Sequence, residues 1–336
     1  MKHATTGFLV AIAAATFASQ AFAIDLRLSI ETPPGHVRNV ASEKWAEAIA
    51  TRSNGDIKVE VFPGAQLYKS ADAVRGLASG ALDMSIQASP TLSRFEPNLS
   101  VITLPMFFGA SREQVRTILD GPLGDELYAK VEKKGIFIPS GGQFEFAPNN
   151  SAYTTEKVVT SYADLSGVKL ATPPSPVVVA VLKSIGANPV ATPRSEIVLQ
   201  LTQGQIDGLG SVTDLTISGG KLWEAGITHA FADNAGWGTY IPLVSKATMD
   251  KLTPEQRQII DDAWTEVVSW ARDYSANELD SAIETNKANG VTYHEPTDAD
   301  ATATREALIA AQDEMVSSSG MDADFVARVQ AALAAM

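Results

Sequence analysis

From Leu26 the chain alternates apolar and polar residues, Leu26-Arg27-Leu28-Ser29-Ile30, which predicts a half-buried strand. A Pro33-Pro34-Gly35 break follows. Val37, Ala41, Trp45 and Ala48 then recur at helical spacing until Asn54-Gly55, a pair suited to the left-handed conformation that ends helices. Residues 57–62 alternate as a second strand, 70–78 read as a helix stopped at Gly80, and 82–86 read as a third strand. The pattern resumes with strands at 136–138 and 168–170, a helix over 176–185 with Pro176 in its first turn, and a second helix capped by Ser195 and running to Gln203. Residues 239–244 are β-branched but contain Pro242, which predicts an edge or crossover strand. Thr253-Pro254-Glu255-Gln256 carries a capping-box pattern and opens a helix reaching about Asn289, over roughly 50 Å. Strands alternating with helices imply βαβ units and mainly parallel sheets. Gly55, Gly80 and Gly208 are expected in turns, Asp207 beside them, and Trp45, Phe107 and Phe108 in the core.

The N-terminus changes the picture first. Met1-Lys2-His3 is a short basic stretch, Phe8 to Ala15 is apolar but too short to span a bilayer, and Ala21-Phe22-Ala23 is a small-x-small cleavage pattern. Residues 1–23 are therefore expected to be a signal peptide, giving a periplasmic chain that starts near Ile24 and does not insert in the membrane. The 313 residues that remain of 336 exceed one ordinary core, so two domains are expected. Zero cysteines remove disulfides and thiolate chemistry together. The formal charge of −13 becomes −14 once Lys2 is removed, which argues against nucleic acid as a partner.

Gly167-Val168-Lys169-Leu170-Ala171-Thr172-Pro173, with Ile185 to Pro189 and Gln203 to Gly208, resembles the ligand-binding core of TRAP-transporter extracytoplasmic solute receptors, the dicarboxylate-receptor-like P subunits. Other stretches resemble the same family in order: Ser53 to Pro63, Gly76 to Met84, Leu104 to Phe108, Leu199 to Gly208, and Leu252 to Glu255. The resemblance implies an α/β, two-lobed periplasmic binding protein fold. Its sheets would be mostly parallel with crossing strands, and a long C-terminal helix would be shared by both lobes. Lobe I would comprise 24–147 plus 236–268, and lobe II 148–235 plus 269–336. It further implies a monomer that closes on a small solute and delivers it to TRAP permease subunits, with no cofactor, metal or catalytic residue.

Departures from the family pattern bear on the solute. The position of Ala171 usually carries the arginine that holds the ligand's carboxylate, and a second arginine upstream falls at Phe144 or Glu145 here. Arg194, near a position that faces the pocket in the family, is a candidate relocated guanidinium for an organic acid. In the opposite reading Glu31, Glu145 or Asp214 holds a small amine, with Phe144, Trp237 and Tyr240 as aromatic faces, or a neutral polar solute binds. Ser211 and Thr213 supply hydroxyls. An exported hydrolase is the competing class, but the chain carries no Gly-x-Ser-x-Gly, His-Glu-x-x-His or Walker motif. Gly208-Leu209-Gly210 lacks a third glycine, and His36, His229 and His294 share no ligand spacing; His36 and His229 read as loop or strand-end residues.

Overall fold

The computed structural model describes residues 24–336, so the expected signal peptide lies outside the described residues. The N-terminal alternation gives β1 (Ile24–Ser29), α1 (Val37–Arg52), β2 (Ile57–Phe62), α2 (Ser70–Ser79) and β3 (Met84–Ala88). Gly80 ends α2 at φ 78°, a conformation glycine adopts without steric penalty. Short 3-10 turns lead to α3 (Arg112–Leu119), α4 (Pro122–Glu132), β4 (Ile136–Phe137) and β5 (Phe144–Asn149). A second series follows: β6 (Ala152–Thr154), β7 (Lys169–Thr172), α5 (Pro176–Ser184), β8 (Asn188–Ala191), α6 (Ile197–Thr202), β9 (Gly208–Leu209), α7 (Asp214–Gly219) and β10 (His229–Phe231). The chain then forms β11 (Gly236–Ser245), α8 (Lys246–Met249), α9 (Pro254–Ala288), β12 (Thr292–His294), α10 (Asp298–Ala310), α11 (Gln312–Ser318) and α12 (Ala323–Ala334).

These strands form two sheets. The first has the order β2-β1-β3-β11-β4, with β5 also paired to β11; the second runs β12-β10-β6-β9-β7-β8. In each, a single strand opposes the direction of the others: β11 in the first and β6 in the second. This is the two-lobed α/β arrangement, with each mostly parallel sheet crossed by one strand. The chain passes from the first sheet to the second between β5 and β6, returns between β10 and β11, and crosses once more through α9 to β12.

Three local expectations need correction. The strand around Pro242 is not an edge: β11 is interior, with β3 on one side and β4 and β5 on the other. Pro242 falls between Tyr240, paired with β5, and Val244, paired with β4, so no strand on that side requires its missing N–H. Ser195 does not cap a helix, because it lies inside a 3-10 turn (Arg194–Glu196) and α6 starts only at Ile197. Gly208 is not a turn residue either; it lies in β9, where a Cβ would stand 1.9 Å from the Tyr153 carbonyl oxygen.

The capping box at the start of α9 forms as its sequence predicts, with Gln256 N–H donating to Thr253 Oγ1 at 3.3 Å and Thr253 N–H to Gln256 Oε1 at 3.0 Å. Over its 35 residues α9 packs against α1 and β5, and then against α7. Trp45 and Trp264 meet edge to face at 5.2 Å in the first of these contacts. Their indole N–H groups donate to Ile260 O and Gly142 O at 3.2 and 2.9 Å. Complete burial of each large apolar side chain is worth roughly 1.5–3 kcal/mol, and this cluster also fixes the start of β5, which carries part of the site.

Candidate ligand-binding cleft

Segments of both sheets line a cavity of about 220 Å³. That is small beside the roughly 300–1,000 Å³ of sites for drug-sized ligands. From the second sheet comes Ala171, in β7 between Val190 of β8 and Leu209 of β9. It is 1% exposed and brings no charge to this wall. Next to it, the Thr172 hydroxyl is buried and has no hydrogen-bond partner within the protein.

Beside this wall lies Arg38, in the first turn of α1 and 1% exposed. Its guanidinium is 3.6 Å from Glu31, and its Nε donates to Thr32 Oγ1 at 3.4 Å. It also covers the ring of Tyr240, 5.1 Å from the centroid. His36 caps α1, its Nδ1 accepting the Arg38 N–H at 3.2 Å. Burial, together with the nearby Arg194 and Arg38, holds the His36 imidazole well below its usual pKa, and therefore neutral. Arg194 reaches the cavity from the turn before α6 and donates to Thr216 O at 3.1 Å. At the rim Lys69 donates to Glu196 at 2.8 Å, joining the loop before α2 to the turn before α6.

Glu145 enters by an unusual route. Its φ is 78° and that of Phe146 is 47°, both in the left-handed region that non-glycine residues rarely occupy. Such residues cost of order 1–3 kcal/mol each and persist where surrounding contacts over-determine them. Here Phe144 packs on Trp264 and Tyr240 at 5.6 and 5.5 Å. Arg272 donates to Gln143 O, and Arg112 to Phe146 O at 3.1 Å. Glu145 as a whole is only 4% exposed. Its Oε1 accepts from Thr213 Oγ1 at 3.4 Å, and its Oε2 has no partner. Burial pushes its pKa up to about 7, against the opposing pull of Arg38, Thr213, Tyr240 and Arg194.

Of the residues singled out from sequence, Glu31, Glu145, Ala171, Arg194, Ser211, Thr213 and Tyr240 line this cavity, and Phe144, Asp214 and Trp237 do not. Phe144 belongs to the aromatic cluster under the cleft. Asp214 turns toward the C-terminal end of α9, where its carboxylate accepts from Tyr293 and Asn286. Trp237 is buried in the core, and Gly238 and Tyr240, on the opposite pleat of β11, face the cavity instead. Sequence reasoning missed Arg38, although a signal existed. Arg38 shares a helical face with Ser42, Trp45 and Ile49, all buried, and a charge on a buried stripe needs a partner. Among the described residues no group of three or more His, Cys, Asp or Glu is placed to hold a metal ion, and no helix is long and apolar enough to cross a membrane.

The family model described as bacterial extracellular solute-binding protein, family 7, matches residues 28–319. The chain is 29% identical over 320 residues to the C4-dicarboxylate-binding periplasmic protein of Rhodobacter capsulatus, covering 93% of this chain and 91% of that one. It is 26% identical over 291 residues to the 2,3-diketo-L-gulonate-binding periplasmic protein of Escherichia coli, with 87% of each chain covered. A crystal structure of a sugar acid binding protein from Advenella mimigardefordensis, in complex with galactonate, matches with a TM-score of 0.87 at 22% identity, over 93% of this chain and 98% of that one. At that identity the likeness is one of fold.

Proposed function

Because this chain belongs to family 7 of the bacterial extracellular solute-binding proteins, we infer that it is the periplasmic receptor of a TRAP transporter, capturing a small organic acid in the cleft and passing it unchanged to membrane permease subunits. The observation that carries the reading is the pair of guanidiniums, Arg38 and Arg194, lining a small cavity in which Ala171 leaves the usual anchoring position empty of charge. A guanidinium from this pair can replace the missing one, since fork-shaped donors match a carboxylate, and Arg194 is the freer of the two because Arg38 faces Glu31. The relatives from Rhodobacter capsulatus and Escherichia coli are both named for organic acids, which supports the same class of solute. Closure would bring lobe I (24–147 plus 236–268) and lobe II (148–235 plus 269–336) together over the solute by a hinge motion, with Lys69 and Glu196 meeting at the rim.

A thermal-shift screen over organic acids, followed by calorimetry on the hits, tests this. A bound acid should raise the melting temperature by linkage. Arg194→Ala should cost about 3 kcal/mol of binding, as truncating one partner of a buried charge pair does. A bound acid whose affinity survives both Arg38→Ala and Arg194→Ala would overturn the assignment of the anchor.

A further inference from the structure

Charge is balanced along the cleft wall as a whole, but not locally. Three cationic side chains, Arg38, Lys69 and Arg194, and three acidic ones, Glu31, Asp72 and Glu145, line it. Arg38 sits against Glu31, Lys69 against Glu196, and Asp72 against Arg75. Among the described residues, Glu145 and Arg194 form no ion pair within 4 Å. Arg194 uses one N–H on a backbone carbonyl, and Glu145 keeps one buried oxygen, Oε2, with no hydrogen bond within 3.5 Å, although the Tyr240 hydroxyl lies near enough to favour the ionised carboxylate. An unpartnered buried carboxylate oxygen, lodged in a backbone conformation that glutamate rarely adopts, marks a place where a ligand donor belongs.

We propose that the solute is a small zwitterion, a carboxylic acid that also bears a protonated amine, with its carboxylate against Arg194 and its ammonium against Glu145. The proposal rests on the reading of the cleft as an acid receptor and narrows it. A plain monocarboxylate would either leave one negative charge uncompensated in the cavity or hold Glu145 in its protonated form, and a dicarboxylate would carry one charge more, because Glu31 already engages Arg38. A hydroxy acid would satisfy the orphan oxygen but still leave that excess charge. A zwitterion adds none, and each of its charges meets a group that has no ion-pair partner.

Matched probes separate these cases: alanine, β-alanine and 4-aminobutyrate against lactate, 3-hydroxypropionate, 4-hydroxybutyrate, propionate, butyrate and succinate, each measured by calorimetry at pH 6 and pH 8. At least one amino acid should bind ten-fold or more tighter than its hydroxy and unsubstituted counterparts. Its affinity should rise from pH 6 to pH 8 as Glu145 ionises. The other charged groups facing Glu145, Arg38 and Arg194, are guanidiniums, which do not lose their proton in proteins; Tyr240 and His36 stay neutral, burial having raised the one pKa and lowered the other. Thr213, the remaining direct partner, does not titrate. Repeating the titration at pH 7 in two buffers of different ionisation enthalpy should reveal proton release from Glu145. Glu145→Gln should abolish that release and weaken the amino acid at least ten-fold. Tighter binding of a hydroxy, plain or dicarboxylic acid, or proton uptake in place of release, would overturn the zwitterion while leaving the acid receptor standing. Failure of every probe, together with a wider set of acids, would sink both.

Discussion

Glu145→Gln should make the empty protein more stable, and by an amount that depends on pH. Burial raises the Glu145 pKa from 4.5 to about 7. The folded state therefore holds this proton more tightly than the unfolded chain does. Stability linked to the proton is fully present below pH 4.5 and is lost as pH rises through 7. A shift of that size, at about 1.4 kcal/mol per unit, is worth about 3 kcal/mol once both states are ionised. Glutamine keeps an oxygen to accept from Thr213 and carries no charge to desolvate. The variant should thus gain up to about 3 kcal/mol at pH 8 and almost nothing at pH 4.5. With an unfolding entropy of about 2 cal/mol/K per residue, this gain corresponds to a rise of roughly 4–5 °C in melting temperature. Scanning fluorimetry of wild type and variant from pH 4.5 to 8, without solute, gives the comparison directly. An equal gain at both extremes, or a loss at pH 8, would show that Glu145 is ionised and satisfied in the empty cleft, contrary to its orphan oxygen.

Two further outcomes follow from contacts away from the cleft floor. Gly208→Ala should destabilise the protein by roughly 3 kcal/mol or more, because the new methyl carbon meets Tyr153 O and β9 cannot move without losing its pairing to β6 and β7; urea titration measures it, and a near-neutral result would refute the tight approach. Lys69→Ala should speed solute release in stopped flow at low salt and have no effect at 1 M salt, since exposed ion pairs are screened; a salt-independent change would mean that Lys69 touches the solute.

The alternation of strands and helices was legible because each element buries one face and its spacing records which. What escaped was set by residues distant in sequence. Pro242 suggested an edge, yet the gap that tolerates it is created by where β5 stops and β4 begins. Asp214 looked available to a ligand until Tyr293 and Asn286, more than 70 residues away, claimed it. His229 and His294 share no motif spacing, but the parallel register of β10 and β12 brings their ring nitrogens to 3.4 Å. In the cleft, Arg194, Glu145 and Ala171 were identified from departures from a family pattern. Arg38 was overlooked because the apolar face reads through Val37, Ala41, Trp45 and Ala48, one position away, and only its burial beside Glu31 shows that it faces inward.

The interior position of β11 also orders events in time. The first sheet draws five strands from residues 24–149, yet the strand that joins β3 to β4 and β5 arrives only with residues 236–245. Likewise Trp45 waits for Ile260, 215 residues later, before its indole N–H is satisfied. A chain emerging N-terminus first must hold β3 with an open edge until most of its length is available. Contacts of such long range close slowly, and unpaired edges invite association with other chains. The N-terminal third therefore cannot complete its own sheet early: the first sheet closes only when the chain comes back from the second to lay down β11.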